Sequence, residues 1–500
     1  MKVPLAKDLE KIVEFLQTSL GPKGMDKLLI DKNGNMKITN DGATILKSVK
    51  YDSIASIILR DVCNVQDDEI GDGTTSICCL IKELVFEAQK LLNRGLHLQT
   101  IIKGFRIAAN LTLKIIDKNC FCNTKNIRSF LANLLDIART SLNSKIIFSN
   151  REYFSRIALK AILNLKGSMD INRIQILKKP GGTLKDSFIE DGFILEKKIG
   201  IGQIKRIIGA KILIANTSLD FDKIKIHNAK VKVKSLSKLA QIEVREQKKI
   251  LDKCRKIISH GINVLINRQL IYNYPERFLN DNGVLTIEHA DFDGIERLAL
   301  VTGAEIVSTF DEPSKVKLGK CKVVEEIMVG KETMIRFSGC YNKGTSTIVL
   351  RGSNEQITAE AERSLHDALC VLVQSIQTPS FVYGGGCMDA KIIVSLEKYC
   401  ETIEAKESLV IRAFSTSIKN VIKIIFENAG LDSNDKLLSL IDCHKNQESD
   451  ACLDVHSEKI LSAQKIGLIE CSKLKIHTIL SAVETAEMIL RIDKMFLNEN

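Results

Sequence analysis

The chain contains no tryptophan, six prolines and 5% aromatic residues, and none of its fourteen cysteines forms a Cys-x-x-Cys pair. A chain so poor in rings offers few platforms on which nucleic-acid bases could stack. The adjacent Cys78 and Cys79 and the closely spaced Cys120 and Cys122 are completed by no second pair and no His-x-x-x-His, which argues against structural zinc. No apolar run reaches the length that crosses a bilayer, and Met1-Lys2-Val3-Pro4-Leu5-Ala6-Lys7-Asp8 lacks the apolar core of a signal peptide. A cytoplasmic location with no membrane partner is therefore expected, with thiols that are reduced and mostly buried.

What is present is the composition of a globular protein, 45% hydrophobic and 27% charged over 500 residues, a length that suits about three domains. The formal charge of +11 invites a nucleic-acid reading. Lys223, Lys225, Lys230, Lys232 and Lys234 sharpen it, alternating with apolar residues as on one face of a strand. Lysines on a strand edge equally serve to block unwanted pairing, and with few aromatics nearby a nucleic-acid partner is disfavoured.

Ile77, Leu80, Ile81, Leu84, Val85, Ala88 and Leu91 recur at helical spacing, and the pattern resumes over 100–116 after Asn93-Arg94-Gly95. Further helices are expected over 126–141, 355–374 and 408–428. Between 193 and 351 the texture changes to short β-type runs such as Ala210–Ala215, Asn263–Ile266 and Thr347–Leu350, interleaved with helical stretches. This reads as an α/β domain between two helical arms, with hinges at Pro180-Gly181-Gly182 and Arg351-Gly352-Ser353.

Gly71-Asp72-Gly73-Thr74-Thr75-Ser76 places two glycines, a carboxylate and three hydroxyls ahead of a helix. Glycine lets backbone N–H groups approach an anion, hydroxyls donate to phosphate oxygens, and a helix directs its positive end at the same point. A carboxylate there suits Mg²⁺, which takes one or two carboxylates plus phosphate oxygens. Asp-Gly is also a common tight turn, and the hexapeptide alone leaves both readings open. Gly21-Pro22-Lys23-Gly24-Met25-Asp26-Lys27 is a second glycine turn but not a P-loop, because Asp26 and Leu28 stand where glycine and Ser or Thr are needed. Thr39-Asn40-Asp41-Gly42-Ala43-Thr44 and Ser364-Leu365-His366-Asp367-Ala368-Leu369 add carboxylates, and Tyr383-Gly384-Gly385-Gly386-Cys387 adds a third glycine approach. One pocket built from all of these requires the two ends of the chain to fold together, with the middle inserted between them.

These motifs in this order resemble the group II chaperonins over nearly the whole chain. Three stretches, Ile266–Glu276, Glu288–Phe292 and Glu362–Cys370, look like one subunit class of the eukaryotic cytosolic member. The resemblance implies a multidomain chaperonin (GroEL-like) fold. Its parts are a mostly α-helical equatorial ATPase domain over 1–124 and 380–500, a mixed α/β intermediate domain over 125–192 and 353–379, and an α/β apical domain with a helical protrusion over 193–352. It implies ATP and Mg²⁺, the ion on Asp72. Nucleotide contacts would come from Leu20, Gly21, Pro22, Gly42, Gly73, Thr74, Thr75, Ser76, Ser141, Ser144, Gly385 and Gly386. Lys145 would sense the γ-phosphate, Asp41 and Asp367 would position the attacking water, and Glu470 and Lys475 would lie near ribose and base. Implied partners are paralogous subunits in a hetero-oligomeric double ring and unfolded client proteins of the actin and tubulin class. Two rival readings are a ring subunit that does not hydrolyse ATP and a basic nucleic-acid-binding ATPase.

Overall fold

The computed structural model describes residues 5–493 apart from 33, 35, 50–52, 123, 125, 166, 220–235, 343, 404–405 and 447–449. The lysine run from Lys223 to Lys234 lies outside the described residues. Contacts divide the chain into two compact units, Met1–Leu159 with Asn354–Asn500, and Lys160–Ser353.

The first unit brings the two ends of the chain together, as a single pocket required. At its centre is the Thr74–Asn93 helix, which buries Ile77, Leu80, Ile81, Leu84, Val85, Ala88 and Leu91. Complete burial of an Ile or Leu contributes roughly 2 kcal/mol, so this stripe alone fixes the helix in a core. Against it pack the Ala6–Gln17, Lys406–Asn428 and Ser472–Arg491 helices, and the Leu98–Asn119 helix packs on Lys406–Asn428 in turn. Gly104 makes that last crossing close, since a Cβ there would lie 2.6 Å from Val410. Three short antiparallel pairs complete the unit: Lys27–Ile30 with Met36–Thr39, Phe381–Tyr383 with Ile469–Cys471, and Ala451–Asp454 with Lys459–Ser462.

The second unit holds a seven-stranded sheet. Arg206–Ala215 pairs parallel with Val264–Asn267, which pairs parallel with Leu285–Ile287. All four residues of Val264–Asn267 are buried, as a parallel strand covered on both faces demands. On the other side the sheet turns antiparallel through Gly319–Val329 and Glu332–Cys340. A separate three-stranded sheet sets Ser346–Gly352 between Ile174–Pro180 and Phe188–Glu190. Here the two expected hinge glycines meet, the Gly181 N–H donating to the Gly352 carbonyl at 2.7 Å.

All fourteen cysteines are free thiols and eleven of them are buried, in keeping with reduced cysteines used as core residues. No helix of the described residues is long and apolar enough to cross a membrane.

Candidate functional site

A cavity of about 540 Å³ opens in the first unit, and sixteen of the eighteen residues singled out from the sequence line it. Leu20, Gly21 and Pro22 enter from the turn after the first helix. That turn is held by Asn428, whose side-chain amide donates to the carbonyls of Gln17 and Leu20 at 2.7 and 2.8 Å. Gly21 needs its φ of +92°, and a Cβ there would press to 3.0 Å on Ile425. Gly385 and Gly386, also at positive φ, line the wall ahead of the Cys387–Glu401 helix.

Two helices begin side by side in this cavity. The Thr74–Asn93 helix starts after Gly73, whose φ of +81° only glycine adopts without strain. Asp41 caps the Gly42–Ser48 helix by accepting from the N–H groups of Ala43 and Thr44 at 3.2 and 2.8 Å. It also accepts from the Thr44 hydroxyl at 2.7 Å and the Thr74 hydroxyl at 2.9 Å, which ties the two helix starts together. Gly42 does not line the cavity but explains this proximity, since a Cβ on it would come within 2.9 Å of Thr75 Oγ1. Asp72 accepts from the Ser141 hydroxyl at 3.2 Å and from the Gly73 N–H at 2.7 Å.

Asp367 is the other residue that stands behind the wall. Its Oδ2 accepts from Lys145 Nζ at 2.7 Å, with both side chains about nine-tenths buried. Burial alone would push the Lys145 ammonium toward its neutral form, but Asp367, Asp72 and Asp41 around it outweigh that and hold it well above the usual lysine range. Three carboxylates share this one cation. Burial raises Asp367 well above the usual carboxylate range, with Asp41 and Asp72 pushing the same way against the pull of Lys145. For Asp41 burial is outweighed by Lys145 and by the hydrogen bonds from Thr44 and Thr74, so it stays below that range. The net negative cluster, set at two helix N-termini, suits a divalent cation shared with an anion. Among the described residues no group of three or more His, Cys, Asp or Glu is arranged to hold a metal ion unaided.

Lys475, also in the lining, reaches Asp389 at 2.8 Å and Glu470 at 3.8 Å. Burial works against the ammonium, and the two carboxylates overcome it and raise Lys475. Ile422, Ile425, Leu453 and Leu468 add apolar surface to the lining of the cavity.

The sequence reading missed several groups. Gln66 is fully buried and in phase with Leu59 and Cys63 on its helix, so a polar residue at a core position was the available signal. Its amide donates to the Asp72 carbonyl at 2.8 Å, while its oxygen meets His477 Nδ1 at 2.6 Å. Asp389, in the first turn after the three glycines, was another, and Phe148, Arg151 and His456 also line the cavity.

The model of the TCP-1/cpn60 chaperonin family matches residues 12–500. The chain belongs to that family. Among the chaperonin relatives, T-complex protein 1 subunit beta of Arabidopsis thaliana is 48% identical over 486 residues, covering 97% of this chain and 92% of the relative. The Saccharomyces cerevisiae subunit beta is 48% identical over 484 residues, covering 96% and 92%, and the human one 45% over 486 residues, covering 97% and 91%. The subunit class suggested by Ile266–Glu276, Glu288–Phe292 and Glu362–Cys370 is thus the beta class, and the chaperonin resemblance extends across both units.

Proposed function

We propose that this chaperonin-family chain is an ATP-hydrolysing subunit of a hetero-oligomeric double ring that folds cytosolic proteins. The observation that carries the reading is the buried Lys145–Asp367 pair beside Asp41 and Asp72 at the starts of two helices. Phosphoryl transfer needs an in-line water and neutralisation of charge on the γ-oxygens, not a covalent nucleophile, and this cluster offers those groups. Thr74, Thr75, Ser76 and the N–H groups after Gly73 bind the phosphate chain. Lys145 lies against the γ-phosphate. Asp41 and Asp367 orient the attacking water, and Asp367, with its raised proton affinity, takes the proton that the water loses. Mg²⁺ held at Asp72 together with phosphate oxygens supplies further charge neutralisation when bound. Glu470 and Lys475 line the end given to ribose and base.

In this reading residues 1–124 and 380–500 form the equatorial domain, 125–192 and 353–379 the intermediate domain, and 193–352 the apical client-binding domain. Lys145 and Asp367 both belong to the intermediate segments. Hydrolysis then waits on a domain swing that seats them, and the same swing, turning near Gly181 and Gly352, moves the apical domain over a chamber. Clients are unfolded cytosolic proteins of the actin and tubulin class. The subunit-beta naming of the relatives supports a multi-subunit setting. Isolating the native particle tests it: sixteen related chains in two eightfold rings have a mass of about 0.9 MDa, with Mg²⁺-dependent ATP turnover. A monomer or small oligomer contradicts the ring.

A further inference from the structure

Phe148 and His456 stack across the solvent side of the cavity. Their ring centres are 5.3 Å apart with planes inclined by 23°, although some three hundred residues separate them in the chain. Both line the cavity; His456 is exposed and Phe148 half-buried, so the pair stands at the rim and not in the core. Each ring is anchored to a different functional wall. Phe148 follows Lys145 by three residues, and its N–H donates to the Lys145 carbonyl at 2.9 Å. The Arg151 guanidinium carbon lies 5.0 Å from the centre of the same ring, and its side chain bonds Asn143, so the loop carrying Phe148 is braced on its own side.

His456 belongs to the turn after the Ala451–Asp454 strand. Asp454 pins that turn by accepting from the His456 and Ser457 N–H groups at 3.1 and 3.3 Å. The strand is fixed in turn to the glycine wall, through the Leu453 N–H on the Gly385 carbonyl at 3.2 Å. The ring pair therefore joins the loop of the buried lysine to the glycine wall.

The geometry points to Phe148 and His456 as a clasp that retains the nucleotide: positioning residues, specific to its release, that neither touch the phosphates nor take part in hydrolysis. The inference rests on the nucleotide reading above. A bound nucleotide lies between the two walls, and to leave it must separate them, which breaks the stack. An aromatic pair of this geometry contributes about 0.5–1.5 kcal/mol beyond its buried area, equivalent to a roughly 2- to 12-fold slower release. Arg151 adds a cation over the same ring and holds Phe148 in place on its own wall.

The test loads the full-length chain with a fluorescent analogue of adenosine diphosphate and follows its release after mixing with excess unlabelled nucleotide. Phe148→Ala and His456→Ala each release the analogue roughly 2- to 12-fold faster than wild type. The double variant is no faster than either single one, because the stack exists only as a pair. His456→Phe, which keeps a ring there, stays within about twofold of wild type. Thermal stability moves little in all of them, since the rim residues leave the core intact. Single variants that release at the wild-type rate, or effects that multiply in the double variant, overturn the clasp and leave the nucleotide reading standing. Wild type that binds no analogue overturns the nucleotide reading and the clasp with it.

Discussion

Lys145 Nζ stands 2.7 Å from Asp367 Oδ2, a contact between residues 222 positions apart that closes one wall of the cavity. Breaking it from the lysine side leaves three carboxylates with no cation among them. Lys145→Met therefore lowers stability by about 3–5 kcal/mol, the cost of a buried charge left uncompensated. Thermal denaturation without nucleotide measures it, and Lys145→Met combined with Asp367→Leu recovers part of the loss because the unpaired partner is gone.

The carboxylates respond oppositely to pH. Asp41 has its proton affinity lowered in the folded state, so the stability it contributes is present above about pH 4, the usual aspartate value, and is lost as pH falls through its folded value. The stability gap between wild type and Asp41→Asn is expected to be full at pH 7 and to narrow on acidification below about pH 4. Asp367 is raised, so its ionised form costs stability, a cost absent below about pH 4 and incurred as pH rises through the folded value. Asp367→Asn removes that cost, and its stability relative to wild type improves with rising pH. Melting curves of the two variants across pH check both signs.

Much of this site could be read in the sequence because its signals are local. Glycine at positive φ, a carboxylate just before a helix and a stripe repeating every three to four residues are all properties of short segments. Asp41, Gly73 and the Thr74–Asn93 helix follow from them. Gln66 and His456 owe their places to partners hundreds of positions away or to a core phase occupied by a polar group, and no short window reports that. The three-residue strands Phe381–Tyr383 and Ile469–Cys471 escaped for the same reason, being strands only because they pair with each other. Gly181 and Gly352 were visible as glycines, but their mutual hydrogen bond was not.

Gly71 gives a sharper test of the loop's backbone. It has φ +81°, and a Cβ built on it would lie 2.3 Å from Cys370 Cβ. Gly71→Ala is expected to cost about 1–3 kcal/mol in backbone strain, with the clash added. Cys370→Ala does not rescue it, because the clashing atom is the Cβ that alanine retains. Comparing the melting temperatures of the single and double variants decides the point.

Gln66→Leu removes the donor to the Asp72 carbonyl and leaves the His477 ring facing an apolar group. The apparent Mg²⁺ affinity in ATP turnover is expected to fall by about 10-fold, the scale on which groups behind a ligand act, while the rate at saturating Mg²⁺ changes less. Titrating turnover against Mg²⁺ separates the two. An unchanged midpoint would mean that Gln66 serves packing alone.

The most direct measurement is ATP turnover by the assembled particle carrying Asp367→Ala, with ATP binding followed in parallel. Binding is expected to persist, because Asp367 does not line the cavity, while turnover falls by about 10²–10⁴-fold with loss of the proposed proton acceptor. Turnover at the wild-type rate, with binding intact, would contradict hydrolysis at this cavity and favour a subunit that fills its ring position without consuming ATP.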